Sequence, residues 1–203
     1  MPSQPQFNID ETLAKAVCQF WTHGYHATSM SNLVDVMGIN RASIYNTYGD
    51  KRTLFIRSLE QYHVMLREVR LERLAEQYGA LERITALFDL VVADAESEDV
   101  RRGCLVMNTA LELAAHEPDV REVILSAQNT IKKFFRDSLA EACGKRLIAG
   151  ELDDEAQFLL TLLSGFLVQV RNCENPGDMT AVTGRISGYL NNLLHQSGKE
   201  ESC

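Results

Sequence analysis

No run of apolar residues in this chain reaches the roughly 18 that a membrane-spanning helix needs. The longest candidate, Phe158–Val170, is too short and is broken by Ser164 and Gly165. A bilayer is therefore not expected among the partners. The N-terminal stretch "MPSQPQFNIDETLAK" lacks a basic segment followed by an apolar one, so no secretory signal is read there and a cytoplasmic location is expected. The five cysteines, Cys18, Cys104, Cys143, Cys173 and Cys203, are odd in number and widely spaced. They form no Cys-x-x-Cys pair and no Cys/His cluster, which argues against a structural zinc site and against a disulfide framework. Reduced, mostly buried thiols are expected instead. Proline occurs at only four positions and apolar/polar alternation is scarce, so strands are not expected.

Charge is present but unevenly placed. The net formal charge of the 203 residues is −8. Residues 1–57 hold five bases and four acids, whereas the other 146 residues hold 15 bases and 24 acids. The N-terminal quarter is thus electrostatically distinct, although too weakly basic for charge alone to indicate nucleic acid.

Helical periodicity dominates what remains. Leu13, Ala16, Val17, Phe20 and Trp21 recur at three- and four-residue spacing, which predicts a helix from Asp10 to about His23, stopped by Gly24. Thr28 or Ser29 can cap a short helix over Ser31–Met37, and Asn40 a third that runs to about Tyr48. Asp50 can cap a long helix from Lys51 to about Gln77. Further helices are predicted over Ala80–Glu96, Cys104–His116, Asp119–Cys143, Asp153–Asn172 and Met179–His195, with a frayed tail after them. The expected fold class is all-α, with about nine helices and no strands.

The stretch "INRASIYNTYGDK" (Ile39–Lys51) contains neither a Gly-rich loop nor a His/Cys cluster that would suggest catalysis. Two short helices joined by a glycine-containing turn are the helix-turn-helix pattern. Leu33, Val34, Met37, Ile39, Ile44 and Tyr48 fall on the side that must pack. Arg41, Ser43, Tyr45, Asn46 and Thr47 fall on the exposed side. Arginine matches guanine O6/N7 and asparagine matches adenine, each through two hydrogen bonds, while small hydroxyls reach phosphates. Tyr45 offers a hydroxyl to a phosphate and a ring face to a thymine methyl. Lys51 opens a helix whose free N–H groups also favour a phosphate.

The segment "GYHATSMSNLVDVMGINRASIYNTYGDKRTLF" (Gly24–Phe55) resembles the TetR family of bacterial transcriptional repressors. The shared pattern is Gly-aromatic, Thr-Ser, a short helix ending in Gly-Ile, an Asn-Arg-Ala-Ser run, apolar-Tyr, and a Lys opening the next helix. Val34 departs from the alanine usual in the family, and its bulk implies a slightly wider helix crossing. The resemblance implies base or phosphate contacts from Arg41, Ala42, Ser43, Tyr45 and Asn46, a further contact from Ser31, and a phosphate contact from Lys51. It implies two domains, a helix-turn-helix domain over 1–51 and a helical regulatory domain over 52–203. The latter would bind a small ligand and dimerise through helices at about 153–172 and 179–195. The residues agree independently, since a helix apolar nearly all round must be buried and a second copy of the chain offers the surface to bury it. A two-fold dimer matches a palindromic operator with half-sites about 34 Å or more apart.

Cys104, Asn108 and Glu112 share one helix face. Pointing inward, that face offers a thiol, an amide and a carboxylate to a ligand. Pointing outward, or with Asn108 bonded to nearby backbone, it has no such role. Tyr62, Met65, Phe88, Met107, Phe134 and Phe166 are candidate pocket lining or plain core. Arg101 and Arg102 beside Cys104 raise the alternative of a repressor that senses oxidants or electrophiles through its thiol. A helical adaptor without DNA binding is a further alternative. An enzyme is not expected: Glu112 and His116, at i and i+4, supply at most half a metal site, and no second pair of that spacing is present. No cofactor and no metal are expected.

Overall fold

The computed structural model describes residues 7–97, 102–144 and 147–196. Arg101, Cys203, Lys145 and Arg146 of one expected loop, and the expected tail from Ser197 onward lie outside them. Among the described residues all regular structure is helical: α1 (Ile9–Ala27), α2 (Met30–Met37), α3 (Arg41–Tyr48), α4 (Lys51–Met65), a π-helical turn (Leu66–Leu71), α5 (Glu72–Gln77), α6 (Glu82–Ser97), α7 (Leu105–Glu112), α8 (Pro118–Cys143), α9 (Ala149–Asn172), a 3₁₀ turn (Pro176–Met179) and α10 (Thr180–Gln196). The all-α expectation holds. α4, the π turn and α5 form one uninterrupted helical run, which matches the single long helix predicted over Lys51–Gln77.

Packing groups these elements into two compact units. The first joins the described residues up to Leu66 with Cys104–Ser126, and the second joins Arg67–Gly103 with the residues from Ala127 onward.

In the first unit α1 packs against α4, α2 and α7. Its core includes Ala16, Phe20, Leu33, Met37, Ile44, Leu54 and Leu59, all at 1% exposure or less. Phe20 meets the ring of Phe55 edge-on at 4.9 Å, and Trp21 meets Tyr62 in the same manner at 5.0 Å. Each of the first four helices begins on a side-chain cap. Asn8 accepts from Asp10 and Glu11, Ser29 from Asn32, Asn40 from Ser43 and Asp50 from Thr53. A cap of this kind satisfies donors that a helix start leaves open and stabilises it by about 1 kcal/mol. Gly24 interrupts α1 where predicted. Its φ of 79° and ψ of 176° break the helix, and one further turn follows to Ala27.

In the second unit α6 packs against α5, α9, α10 and the 3₁₀ turn. Phe88 is fully buried, stacked on Phe135 at 6.3 Å and edge-on to Phe166 at 5.3 Å. Arg83, only 7% exposed, donates from Nε to the Ser138 hydroxyl at 2.8 Å and pairs with Glu141. α9 starts at Ala149 rather than Asp153, because the Glu151 carboxylate reaches back to the Ile148 N–H at 2.9 Å. α7 stops at Glu112 instead of His116, where the chain turns toward Pro118, the first residue of α8.

Candidate nucleic-acid interface

The candidate interface is α3, and its placement follows from local chemistry. Gly38 adopts the left-handed φ of 69° that lets the chain turn sharply after α2, without a Cβ penalty. Asn40 then starts α3, its Oδ1 accepting the Ser43 N–H at 2.8 Å. Ile44 and Tyr48 face inward and are buried. The Tyr48 hydroxyl donates to the Ile9 carbonyl at 2.8 Å and also hydrogen-bonds the Thr12 hydroxyl, which fixes α3 to the start of α1. Burial raises the Tyr48 pKa, with the Thr12 hydrogen bond opposing. Arg57 Nη1 donates to the Thr47 carbonyl at 3.1 Å and ties α4 to the same C-terminal end of α3.

Arg41, Ala42, Tyr45 and Asn46 are exposed on the opposite side, and Ser43 is half-exposed. Tyr45, at 44% exposure, lies under the Arg41 guanidinium at 5.8 Å. Such a pair pre-orders two long side chains and reduces the entropy lost when they meet a ligand. Ser31 is exposed in the first turn of α2. Lys51 is the first residue of α4 and half-buried, with its Nζ 4.3 Å from the centre of the Tyr25 ring. Partial burial lowers its pKa, and the charge of Glu112 opposes that shift. The neighbouring Arg52 forms ion pairs with Glu117 and Asp119. The structure therefore brings the expected exposed set onto one small surface and keeps Tyr48 in the core, as the sequence implies. Tyr25, which carries the lysine, was not singled out. The cation–π contact joins residues 26 apart, beyond the reach of any local spacing rule.

The expected ligand residues are distributed differently. Tyr62, Met65, Cys104, Met107, Asn108 and Glu112 belong to the first unit, and Phe88, Phe134 and Phe166 to the second. Tyr62 and Cys104 are buried and adjacent, with the tyrosine hydroxyl donating to Sγ at 3.6 Å. Glu112 is turned toward α1 and accepts from the backbone N–H groups of Tyr25 and His26. Phe88 is plain core. The second unit holds a groove of about 940 Å³ between α5, α6 and α10, lined among others by Arg70, Arg73, Tyr78, Asp89, Leu190 and Asn191. None of the nine expected ligand residues lines it, and no local pattern joins residues 69–90 to 187–191. Among the described residues no three metal-ligating side chains converge, and no helix is long and apolar enough to cross a membrane.

The turn at Gly38 and the outward polar face of α3 define a helix-turn-helix protein of the DNA-reading class. Comparison with known proteins makes this narrower. Residues 13–57 match bacterial regulatory proteins of the tetR family, and residues 80–183, just over half of the chain, match the tetracyclin repressor-like C-terminal domain. The uncharacterized HTH-type transcriptional regulator YezE of Bacillus subtilis is 27% identical over 171 residues, covering 84% of this chain and 86% of its own. The HTH-type transcriptional repressor ComR of Escherichia coli is 25% identical over 168 residues, 81% of this chain and 80% of its own. A solved structure of a cysteine-substituted variant of the TetR family regulator CifR, in complex with 26-base-pair operator DNA, superposes with a TM-score of 0.78 at 27% identity. It covers 91% of this chain and 98% of that one. The chain belongs to the TetR family of bacterial transcriptional regulators.

Proposed function

We propose that this regulator is a dimeric repressor that reads a palindromic operator with residues 1–51 and leaves it when the regulatory domain, residues 52–203, binds a small molecule. The exposed α3 face carries the reading: an arginine, a hydroxyl, a tyrosine and an asparagine on one surface, with nothing catalytic beside them. Arg41 and Asn46 contact base edges. Ala42 and Tyr45 lie against thymine methyls. Ser31, Ser43, the Tyr45 hydroxyl and Lys51 reach phosphates. The operator complex of CifR supports the same use of the fold. Dimerisation through α9 and α10 is supported by Phe158, which is 49% exposed, and by Gly165, Gly184 and Gly188, where an added Cβ would meet open space. Glycine inside a helix costs about 1 kcal/mol against alanine, and close approach of a second chain is a reason to keep it. The cytoplasm is the compartment in which such a protein meets its operator.

The test is fluorescence anisotropy on a duplex taken from upstream of the protein's own gene, with a salt series. Nanomolar, salt-sensitive binding is expected, and Tyr45→Ala should weaken it at least tenfold while shifting stability by no more than about 0.5 kcal/mol. Failure of the wild type on this duplex and on a pool of random duplexes would favour the adaptor reading.

The Tyr62–Cys104 contact favours a second reading, in which a change at this thiol is the inducing signal. Cys104 is the residue just before α7, and its Sγ accepts from the Tyr62 hydroxyl. Its burial works against the exposure such chemistry requires. Mass spectrometry after mild electrophile treatment decides, because this reading requires Cys104 to be labelled ahead of the exposed Cys18.

A further inference from the structure

Glu112 closes α7, yet both of its carboxylate oxygens are taken up by α1. Oε2 accepts from the Tyr25 N–H at 3.1 Å and Oε1 from the His26 N–H at 2.8 Å. Those donors are available because Gly24 breaks the helix with its φ of 79°. The turn that restarts after it has the open N–H groups of any helix start. Ordinarily the residue just before such a turn supplies the cap. Glycine has no side chain to do so, and the cap comes from a residue 87 positions beyond Tyr25. The two positions fit as a pair, since a Cβ on Gly24 would lie 2.8 Å from Glu112 Oε2. The capped turn presents Tyr25, whose ring packs on Phe55 at 4.9 Å and supports the Lys51 ammonium at 4.3 Å.

We propose that Glu112 is a positioning residue for DNA binding: by capping the turn after Gly24 it fixes the Tyr25 ring, and through that ring it holds the Lys51 ammonium where the phosphate backbone passes. The proposal rests on the reading of Lys51 as a phosphate contact. Its sign separates it from simple electrostatics. Removing an acid near DNA should tighten binding if charge alone acted, whereas loss of the cap should weaken it.

The experiment uses the full chain and the duplex described above. Glu112→Gln keeps the shape of the side chain but removes one acceptor oxygen. Binding is expected to weaken about tenfold, and the slope of log affinity against log salt to become shallower by about one phosphate contact, as for Lys51→Gln. The Glu112→Gln/Lys51→Gln double variant should bind no more weakly than Lys51→Gln alone, because the two act in series. Unchanged or tighter binding by Glu112→Gln, or additive losses in the double variant, would overturn the proposal. Amide exchange in the free protein tests the cap separately. The Tyr25 and His26 amides should exchange about tenfold faster in Glu112→Gln, with the Leu54 amide unchanged. Unaltered exchange at Tyr25 and His26 would also overturn it. If Glu112→Gln does not fold, Tyr25→Leu removes only the ring beneath the ammonium; the same slope change is expected, and a wild-type slope would overturn the proposal. If the wild type binds no duplex, the reading of the head fails and the proposal fails with it; if the wild type binds and Glu112→Gln is unaffected, only the proposal fails.

Discussion

The two packing units are held by different kinds of interaction. In the first, α1 to α4 each begin on a directional side-chain cap, and hydrogen bonds from Tyr48 and Arg57 clamp the C-terminal end of α3. In the second, the centre is a cluster of the Phe88, Phe135 and Phe166 rings. Directional bonds fix positions to a fraction of an ångström, which a surface matched to base edges needs. Ring packing supplies more free energy with a weaker demand on geometry. One unit is built for placement and the other for cohesion.

Breaking that contrast starts with the largest expected effect. Phe88→Ala should destabilise the protein by about 3–5 kcal/mol, because a fully buried ring leaves a cavity its neighbours only partly fill. Chemical denaturation followed by circular dichroism measures this, and a loss below about 1 kcal/mol would mean the cluster is not the source of cohesion. Asn40→Ala sharpens the other side. Loss of the α3 cap should cost only about 1 kcal/mol of stability, yet weaken operator binding about tenfold, since the first turn of α3 carries Arg41 and Ser43. Equal and small effects on both would remove the distinction between placement and cohesion.

The smallest effect is set by pH. The hydrogen bond from Arg52 holds the Asp119 carboxyl below its usual range, and the Thr53 N–H does the same for Asp50. A carboxylate lowered in the folded state contributes stability that is complete above its unfolded pKa, about 3.9, and is lost as pH falls through the folded value. The difference in thermal midpoint between wild type and Asp119→Asn should therefore be constant from about pH 5 to 7 and shrink below about pH 4. A difference that persists unchanged to pH 2 would show that the Asp119 charge is not what Arg52 recognises.

The parts of the fold readable from sequence were those encoded within one helical turn. Asn40 and Asp50 each bond an N–H three residues on, so their caps could be placed from spacing alone. The split of α3 into a buried Ile44/Tyr48 side and an exposed Arg41/Tyr45 side follows from its period. The start of α9 was misplaced because Ile148 gives no sign of a cap, and only Glu151 reaching back creates one. The π turn at Leu66–Leu71 contains neither glycine nor proline and has no local signature. Spacing puts Glu112 on one helix face with Asn108 and Cys104 but does not say what the carboxylate meets. Its partners, Tyr25 and His26, lie 87 and 86 residues away in α1, and no spacing rule connects them. The groove between α5, α6 and α10 has no local signature for the same reason.

The cap at Gly24 also has a consequence in time. The contacts among α1, α2, α3 and α4 close within the first 65 residues, and small helical units form within milliseconds once synthesised. The carboxylate that completes the turn lies 87 residues after Tyr25. At ribosomal speeds of about 5–20 residues per second, that separation amounts to roughly 4–17 seconds. During synthesis α1 to α4 are complete at Met65, 47 residues before Glu112, so roughly 2–9 seconds pass before α7 can supply the cap on Tyr25 and His26.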